Sequence, residues 1–246
     1  MSVLPNLDGR VALVTGASRG IGAAIAVALA EVGADVAVNY RERAGEADAV
    51  VASIEALGRR AVAVRADVSV GGEVAAMVVG VENTLGPIDV LVNNAGIGLR
   101  RDLDSLTEAD FDQTIAVNLK SVFLCMHAVY PGMRTRGWGR IVNISSGAAR
   151  GAGGIGAHYN ASKAGMEGLT RGYAARLADD GVTVNAVAPT LIATDMIADQ
   201  MPDSANRLRG ARVGTVQEVA SAVIMVAGNA YMTGQTVLLN GGRAFL

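Results

Sequence analysis

Cysteine is almost missing from this chain. Cys125 stands alone in an apolar stretch, so it has no partner for an intrachain disulfide and reads as a small buried hydrophobe. Histidine is nearly as scarce: His127 and His158 are too few and too far apart to suggest a zinc site. There is no excess of either charge, with 21 Lys and Arg against 23 Asp and Glu and a formal net charge of -2. That balance gives no reason to expect a nucleic-acid partner, and no polybasic run suits an anionic membrane. The local basic group Arg134, Arg136 and Arg140 reads as a solvated loop. No apolar run reaches the roughly 18 residues of a membrane span. The start "MSVLPNLDGR" lacks the basic opening and apolar run of a signal peptide. The expectation is a soluble cytoplasmic protein without metal, nucleic-acid or membrane partners.

What the chain has is core-forming material. Its 246 residues are 51% hydrophobic and 18% charged, enough to bury a substantial core. Seven apolar, β-branched runs read as strands: 11–15, 35–40, 61–67, 88–93, 140–145, 182–188 and 236–240. Several are apolar nearly throughout, as strands covered on both faces are. Helical patterns lie between them, over 20–32, over 43–57 into Gly58, and over 159–180 into Gly181. Thr107 with Asp110 resembles a capping arrangement opening a long helix that Pro131 should kink or end. Thr215 with Glu218 reads as a capping box opening the last helix. Repeated strand–helix alternation predicts a parallel sheet with helices on both faces. No linker, low-complexity tract or repeat interrupts it, which favours one domain over residues 1–246. The stretch 190–214 has no strand pattern, and a connection that long in a compact domain is usually functional.

"TGASRGIG" (15–22) directly follows the first strand and opens the first helix. Gly16, Gly20 and Gly22 permit a tight turn and close backbone approach, and the helix N-terminus offers free N–H groups to a pyrophosphate. At the end of the second strand, an NAD site normally offers an acid to the ribose 2′-hydroxyl. Here Tyr40 stands in that place and Arg41 follows, with Arg19 within reach from the glycine loop. Two guanidiniums suit a 2′-phosphate, so NADP(H) is the expected cofactor. Glu42 as a slightly displaced acid is the alternative.

In "YNASK" (159–163), Tyr159 and Lys163 are spaced i, i+4, one turn apart on one helix face. A free phenol, with a pKa near 10, is a poor proton-transfer group at neutral pH. A neighbouring ammonium favours the phenolate, so Lys163 is expected to lower the pKa of Tyr159 toward the working range.

These motifs, with "NNAG" (93–96), Asn118 and Ser146, occur in an order that resembles the short-chain dehydrogenase/reductase family over nearly the whole chain. Ser146 precedes Tyr159 by 13 residues, a common family spacing. Among subgroups the chain is most similar to NADPH-dependent 3-oxoacyl-carrier-protein reductases. The resemblance implies a single Rossmann-type, doubly wound α/β domain with a seven-stranded parallel sheet, and makes 190–214 the substrate-specificity loop. It implies a catalytic set of Asn118, Ser146, Tyr159 and Lys163. Asn118 would hold a water linking Lys163 to solvent, although a side chain bonding locally to backbone is also open. Ser145 is the rival for the serine role, and His158 reads as a wall or surface residue. Cofactor contacts would come from Gly16, Ser18, Arg19, Gly20, Ile21 and Gly22, and from Tyr40 and Arg41. Asp67 and Val68 would meet the adenine, Asn93, Ala95 and Gly96 the adenosine ribose, and Pro189, Ile192 and Thr194 the nicotinamide.

The resemblance leaves the substrate open between a carrier-linked 3-oxoacyl thioester and a free small ketone such as a sugar, steroid or cyclic ketone. Thr190 departs from the glycine that commonly follows the family's proline, and its branching restricts the loop. Arg134 and Arg136 could offer a carrier protein a basic landing patch, but Asp179 and Asp180 oppose it. A non-catalytic NADP-binding scaffold is the other functional class. The family further implies a homotetramer, with paired long helices and a second interface near "QTVLLNGGRAFL".

Overall fold

The computed structural model describes residues 5–194 and 212–242. Seven strands form one parallel sheet in the order β3-β2-β1-β4-β5-β6-β7. They are β1 Val11–Val14, β2 Asp35–Tyr40, β3 Ala61–Arg65, β4 Ile88–Asn93, β5 Gly139–Ile144, β6 Val182–Pro189 and β7 Thr236–Leu239. The helices are α1 Gly20–Glu31, α2 Ala44–Glu55, α3 Gly71–Thr84, α4 Glu108–Ile115, α5 Ser121–Arg136, α6 Ala157–Leu177 and α7 Val216–Gly228. The strand order reverses between β1 and β4, which opens a crevice beyond their carboxyl ends, the usual ligand position in such sheets.

The strands are apolar throughout because both faces are covered, yet the side-chain period of two still sorts them. Ala12 and Val14 enter a core with Ile25, Ile54 and Val223 of α1, α2 and α7. Val11 and Leu13 enter the opposite core with Met77, Met126 and Met166 of α3, α5 and α6. Cys125 is buried in that second core, where burial pushes its thiol up to about 12.

Several elements differ from the sequence reading. Helix α3, "GGEVAAMVVGVENT", was not anticipated: its buried face is Val74, Met77, Val78 and Val81, and its glycines obscured that spacing. The long helix opened by Thr107 is three pieces, α4, a π-helical turn at Ala116–Lys120 and α5. The Thr107–Asp110 capping box is present. Pro131 lies inside α5 and does not end it; Gly137, at φ 65°, does. The arginine cluster is no solvated loop. Arg134 and Arg136 occupy the last turn of α5, and Arg140 is a buried strand residue donating to the Ala227, Gly139 and Gly181 carbonyls. No helix of the described residues is long and apolar enough to cross a membrane. Of the 190–214 segment, residues 195–211 lie outside the described residues, as does the end of the C-terminal segment from 243.

Candidate active site

A cavity of about 460 Å³ lies at the carboxyl ends of the strands. One end is the glycine loop. A methyl group added at Gly22 would lie 2.4 Å from Gly16 O, and one at Gly16 would lie 2.8 Å from Ala95 Cα. Gly16 also sits at φ 60°, where a side chain is strained. Helix α1 starts here without a side-chain cap, and its first turn, whose N–H groups have no intrahelical acceptor, lines the cavity as a candidate anion cradle.

Two residues that the motif reading passed over hold the cradle. Asn94 Nδ2 donates to Thr15 O and Gly16 O, both at 2.9 Å, and Thr15 Oγ1 accepts from Asn94 N and Ala95 N. Asn39 Oδ1 accepts from Gly16 N at 3.1 Å, while its Nδ2 donates to Val64 O and Ala66 O. A buried asparagine bridging three strand ends cannot be read from a motif, because its partners are set by the β1–β2–β3 register.

At the β2 end, Arg41, Glu42 and Arg43 line the cavity, but Tyr40 packs against the core and does not line it. Arg41 pairs with Glu42 at 2.7 Å and approaches Asp67 at 3.7 Å. Arg43 pairs with Glu46. Asp67 and Val68 line the same region. Burial alone would raise the Asp67 carboxyl, but hydrogen bonds from Ser69 and the nearby Arg41 charge together hold it below the ordinary value. Ser18, Arg19, Gly20, Ile21, Ala95, Gly96, Pro189, Ile192 and Thr194 also line the cavity. Asn93 does not: its amide is buried and donates to Asn143 Oδ1 at 2.8 Å, its register partner across β4 and β5.

Tyr159, Lys163 and Ser146 line the other end together. The Ser146 hydroxyl lies near the Tyr159 phenol and favours its ionised form. Ser145 is turned away, its hydroxyl donating to Glu167 Oε1 at 3.3 Å. Lys163 Nζ donates to Ile144 O at 2.8 Å and lies 5.8 Å from the centre of the Tyr159 ring. The electrostatics correct the sequence expectation. Burial raises the Tyr159 phenol, and the Ser146 hydroxyl only partly opposes it. Burial lowers Lys163 to about 8. Taking both groups out of water disfavours each charged form.

Asn118 sits in the π-helical turn and is fully buried, outside the cavity lining. Its amide closes a two-way pair with Ile97, accepting from N at 2.8 Å and donating to O at 2.9 Å, and it also donates to Ser162 Oγ. The bonds are not local; they fix the chain just after Gly96. A methyl group at Gly96 would fall 3.3 Å from Asn118 Oδ1 and 3.7 Å from Lys163 Nζ, so glycine there lets the three approach. His158 is buried, with Nε2 3.0 Å from Leu99 O. After β6 the left-handed residue is Leu191, at φ 54°, rather than Thr190. Its conformation costs roughly 1–2 kcal/mol. Thr190 instead lays its hydroxyl against Gly147, where a methyl group would come within 2.0 Å of Oγ1.

Residues 10–205 match the family model for short chain dehydrogenases. The 3-oxoacyl-[acyl-carrier-protein] reductase FabG of Staphylococcus epidermidis is 44% identical over 239 residues, covering 94% of this chain and 97% of the relative. A 3-oxoacyl-[acyl-carrier-protein] reductase of Synechocystis is 45% identical, covering 96% and 97%. Among solved structures, a gluconate 5-dehydrogenase from Burkholderia cenocepacia in complex with NADP and tartrate superposes with a TM-score of 0.90 at 35% identity, covering 96% of each chain. With the motif order, the sheet topology and this agreement over nearly its full length, the chain belongs to the short-chain dehydrogenase family, as an oxidoreductase acting on CH–OH and C=O groups.

Proposed function

We propose that the protein is an NADP(H)-dependent carbonyl reductase in which Ser146, Tyr159 and Lys163 act on the carbonyl. The observation that carries this reading is the convergence of these three side chains on the cavity that begins at the glycine cradle. A bound nicotinamide would supply the hydride. The turn of Gly16, Gly20 and Gly22 would hold its pyrophosphate, and a Cβ at Gly16 or Gly22 would collide with Ala95 or with the Gly16 carbonyl and force that turn open. Tyr159 holds the proton that the developing alkoxide takes. Ser146, beside that phenol on the cavity, would orient the same oxygen. Lys163, anchored on Ile144 O, places a cation beside the ring that favours release of the phenol proton to the alkoxide. Asn118 is a positioning residue that fixes the Gly96–Ile97 wall.

Arg41 supports the NADP(H) choice. Its guanidinium is half-exposed at the cavity edge, free to exchange a surface carboxylate for a 2′-phosphate. Arg41→Ala should weaken NADPH binding at least tenfold more than NADH binding; equal loss of both would refute the choice.

For the substrate, the reductases at 44–45% identity favour a 3-oxoacyl thioester. A second reading, a free small ketone, has a specific observation behind it. Arg134 is paired with Asp180 at 2.8 Å, and Arg136 with Asp89 and Ile88 O. An acidic carrier protein would have to displace these partners before either arginine could meet it. The gluconate dehydrogenase neighbour fits that second reading. Turnover of NADPH with a 3-oxoacyl thioester and a set of free ketones decides between them. Tyr159→Phe should lower the rate by about 10²–10⁴-fold on whichever is reduced; an unchanged rate would remove the mechanism. A homotetramer completes the proposal, to be checked by light scattering of the eluting protein.

A further inference from the structure

The loop that carries Ser146 is attached to the helix that carries Tyr159 and Lys163 at successive points. Ile144 O accepts from Lys163 Nζ, Ser145 Oγ reaches Lys163 O and Glu167, and the Ser146 hydroxyl lies near the Tyr159 phenol. The last point is an ion pair: Arg150 Nε donates to Glu167 Oε2 at 3.0 Å. Glu167 is 4% exposed and lies on α6 one turn beyond Lys163, so Tyr159, Lys163 and Glu167 form one stripe at i, i+4 and i+8. Arg150 closes the short 3-10 turn Gly147–Ala149 that Ser146 caps through a bond from Ala148 N.

Burying a carboxylate against a partly exposed guanidinium is a poor way to gain stability, because desolvation consumes most of the attraction. A fixed two-point geometry is what such a pair does provide. We infer that Arg150 and Glu167 are positioning residues, a strap across the far end of the Ser146 loop that keeps its hydroxyl beside Tyr159. The inference rests on the carbonyl-reductase reading for its catalytic consequence, though not for its geometry.

The consequence has a sign. Ser146 opposes the burial that raises the Tyr159 phenol, so loosening the loop raises that phenol further. The facing cation, Lys163, is anchored on Ile144 at the end of β5, on the other side of Ser146 from Arg150. The test compares wild type, Arg150→Met, Glu167→Leu, Arg150→Lys and the double variant Arg150→Met/Glu167→Leu. Three quantities are measured: Tm, kcat and KM for the carbonyl substrate, and the phenolate absorbance titration of Tyr159, isolated by subtracting the matching Tyr159→Phe protein. Each single apolar variant leaves one partner uncompensated and should melt lower. The double variant should recover the wild-type Tm, yet keep kcat down about tenfold or more with KM within twofold, and show the Tyr159 titration displaced to higher pH. Arg150→Lys, which keeps the charge and one contact, should recover part of the rate. A kcat that simply follows Tm across the set, or a double variant with an undisplaced titration, overturns the inference. The titration needs no turnover, so a protein that reduces no carbonyl would refute the functional reading while still answering this one.

Discussion

Lys163 holds an ammonium where its surroundings disfavour one. Its folded-state pKa, about 8, lies below the ordinary 10.5. Between those values the unfolded chain binds more protons, so stability should rise as pH climbs from about 8 to 10.5. Below about pH 8 both states are protonated and the full penalty is present. Lys163→Met should therefore abolish turnover and, without added nucleotide, stabilise the protein at neutral pH. The gain should be about 1–3 kcal/mol, reduced by the partner that Ile144 O loses. It should shrink to nothing by about pH 10.5, where wild type sheds the proton in both states. Denaturant melts at a series of pH values check this; a mutant destabilised at every pH would show that the Ile144 bond outweighs the charge. Lys163 is then a residue the fold tolerates rather than one it needs, a trade expected of a residue kept for function.

At the scale of the element, the capping boxes are the most local features and were legible in the sequence. Thr215 Oγ1 accepts from Glu218 N, and the Glu218 carboxylate accepts from Thr215 N at 2.8 Å. The Arg212 hydrogen bond and that return bond hold the Glu218 carboxyl down at about 2. Thr215→Ala should cost about 1 kcal/mol, measured as a lower denaturation midpoint with unchanged slope. Helix α3 and the π-helical turn were not legible, for different reasons. In α3 the glycines Gly71, Gly72 and Gly80 weaken the helical signature, and only packing of Val74, Met77 and Val81 on the sheet overrides it. The turn at Ala116–Lys120 inserts an extra residue where Asn118 must reach Ile97, a contact 21 positions away that no local pattern encodes.

At the scale of the whole molecule, the site belongs to the sheet. Six strand ends contribute to one cavity, so ligand binding should stabilise the domain as a unit. At 100 times its Kd, NADPH should add about 2.7 kcal/mol. Gly22→Ala, whose methyl would meet Gly16 O at 2.4 Å, should remove that gain while leaving the circular dichroism of the fold; a normal NADPH-dependent Tm shift in this variant would contradict the cradle. Cys125, buried with its thiol raised to about 12, should stay unreactive to thiol reagents until global unfolding.

The sequence by itself determined the strand count, the parallel class, the glycine cradle and the Tyr159–Lys163 stripe. Each depends on short-range periodicity or on contiguous residues. Only the tertiary structure decided that Ser146 rather than Ser145 turns to Tyr159, that Asn94 and Asn39 hold the cradle, and that Asn93 and Tyr40 face the interior. It also decided that burial, rather than the neighbouring cation, dominates the phenol. Those outcomes depend on which strand ends lie side by side and on how much water they exclude, and both are properties of the closed sheet.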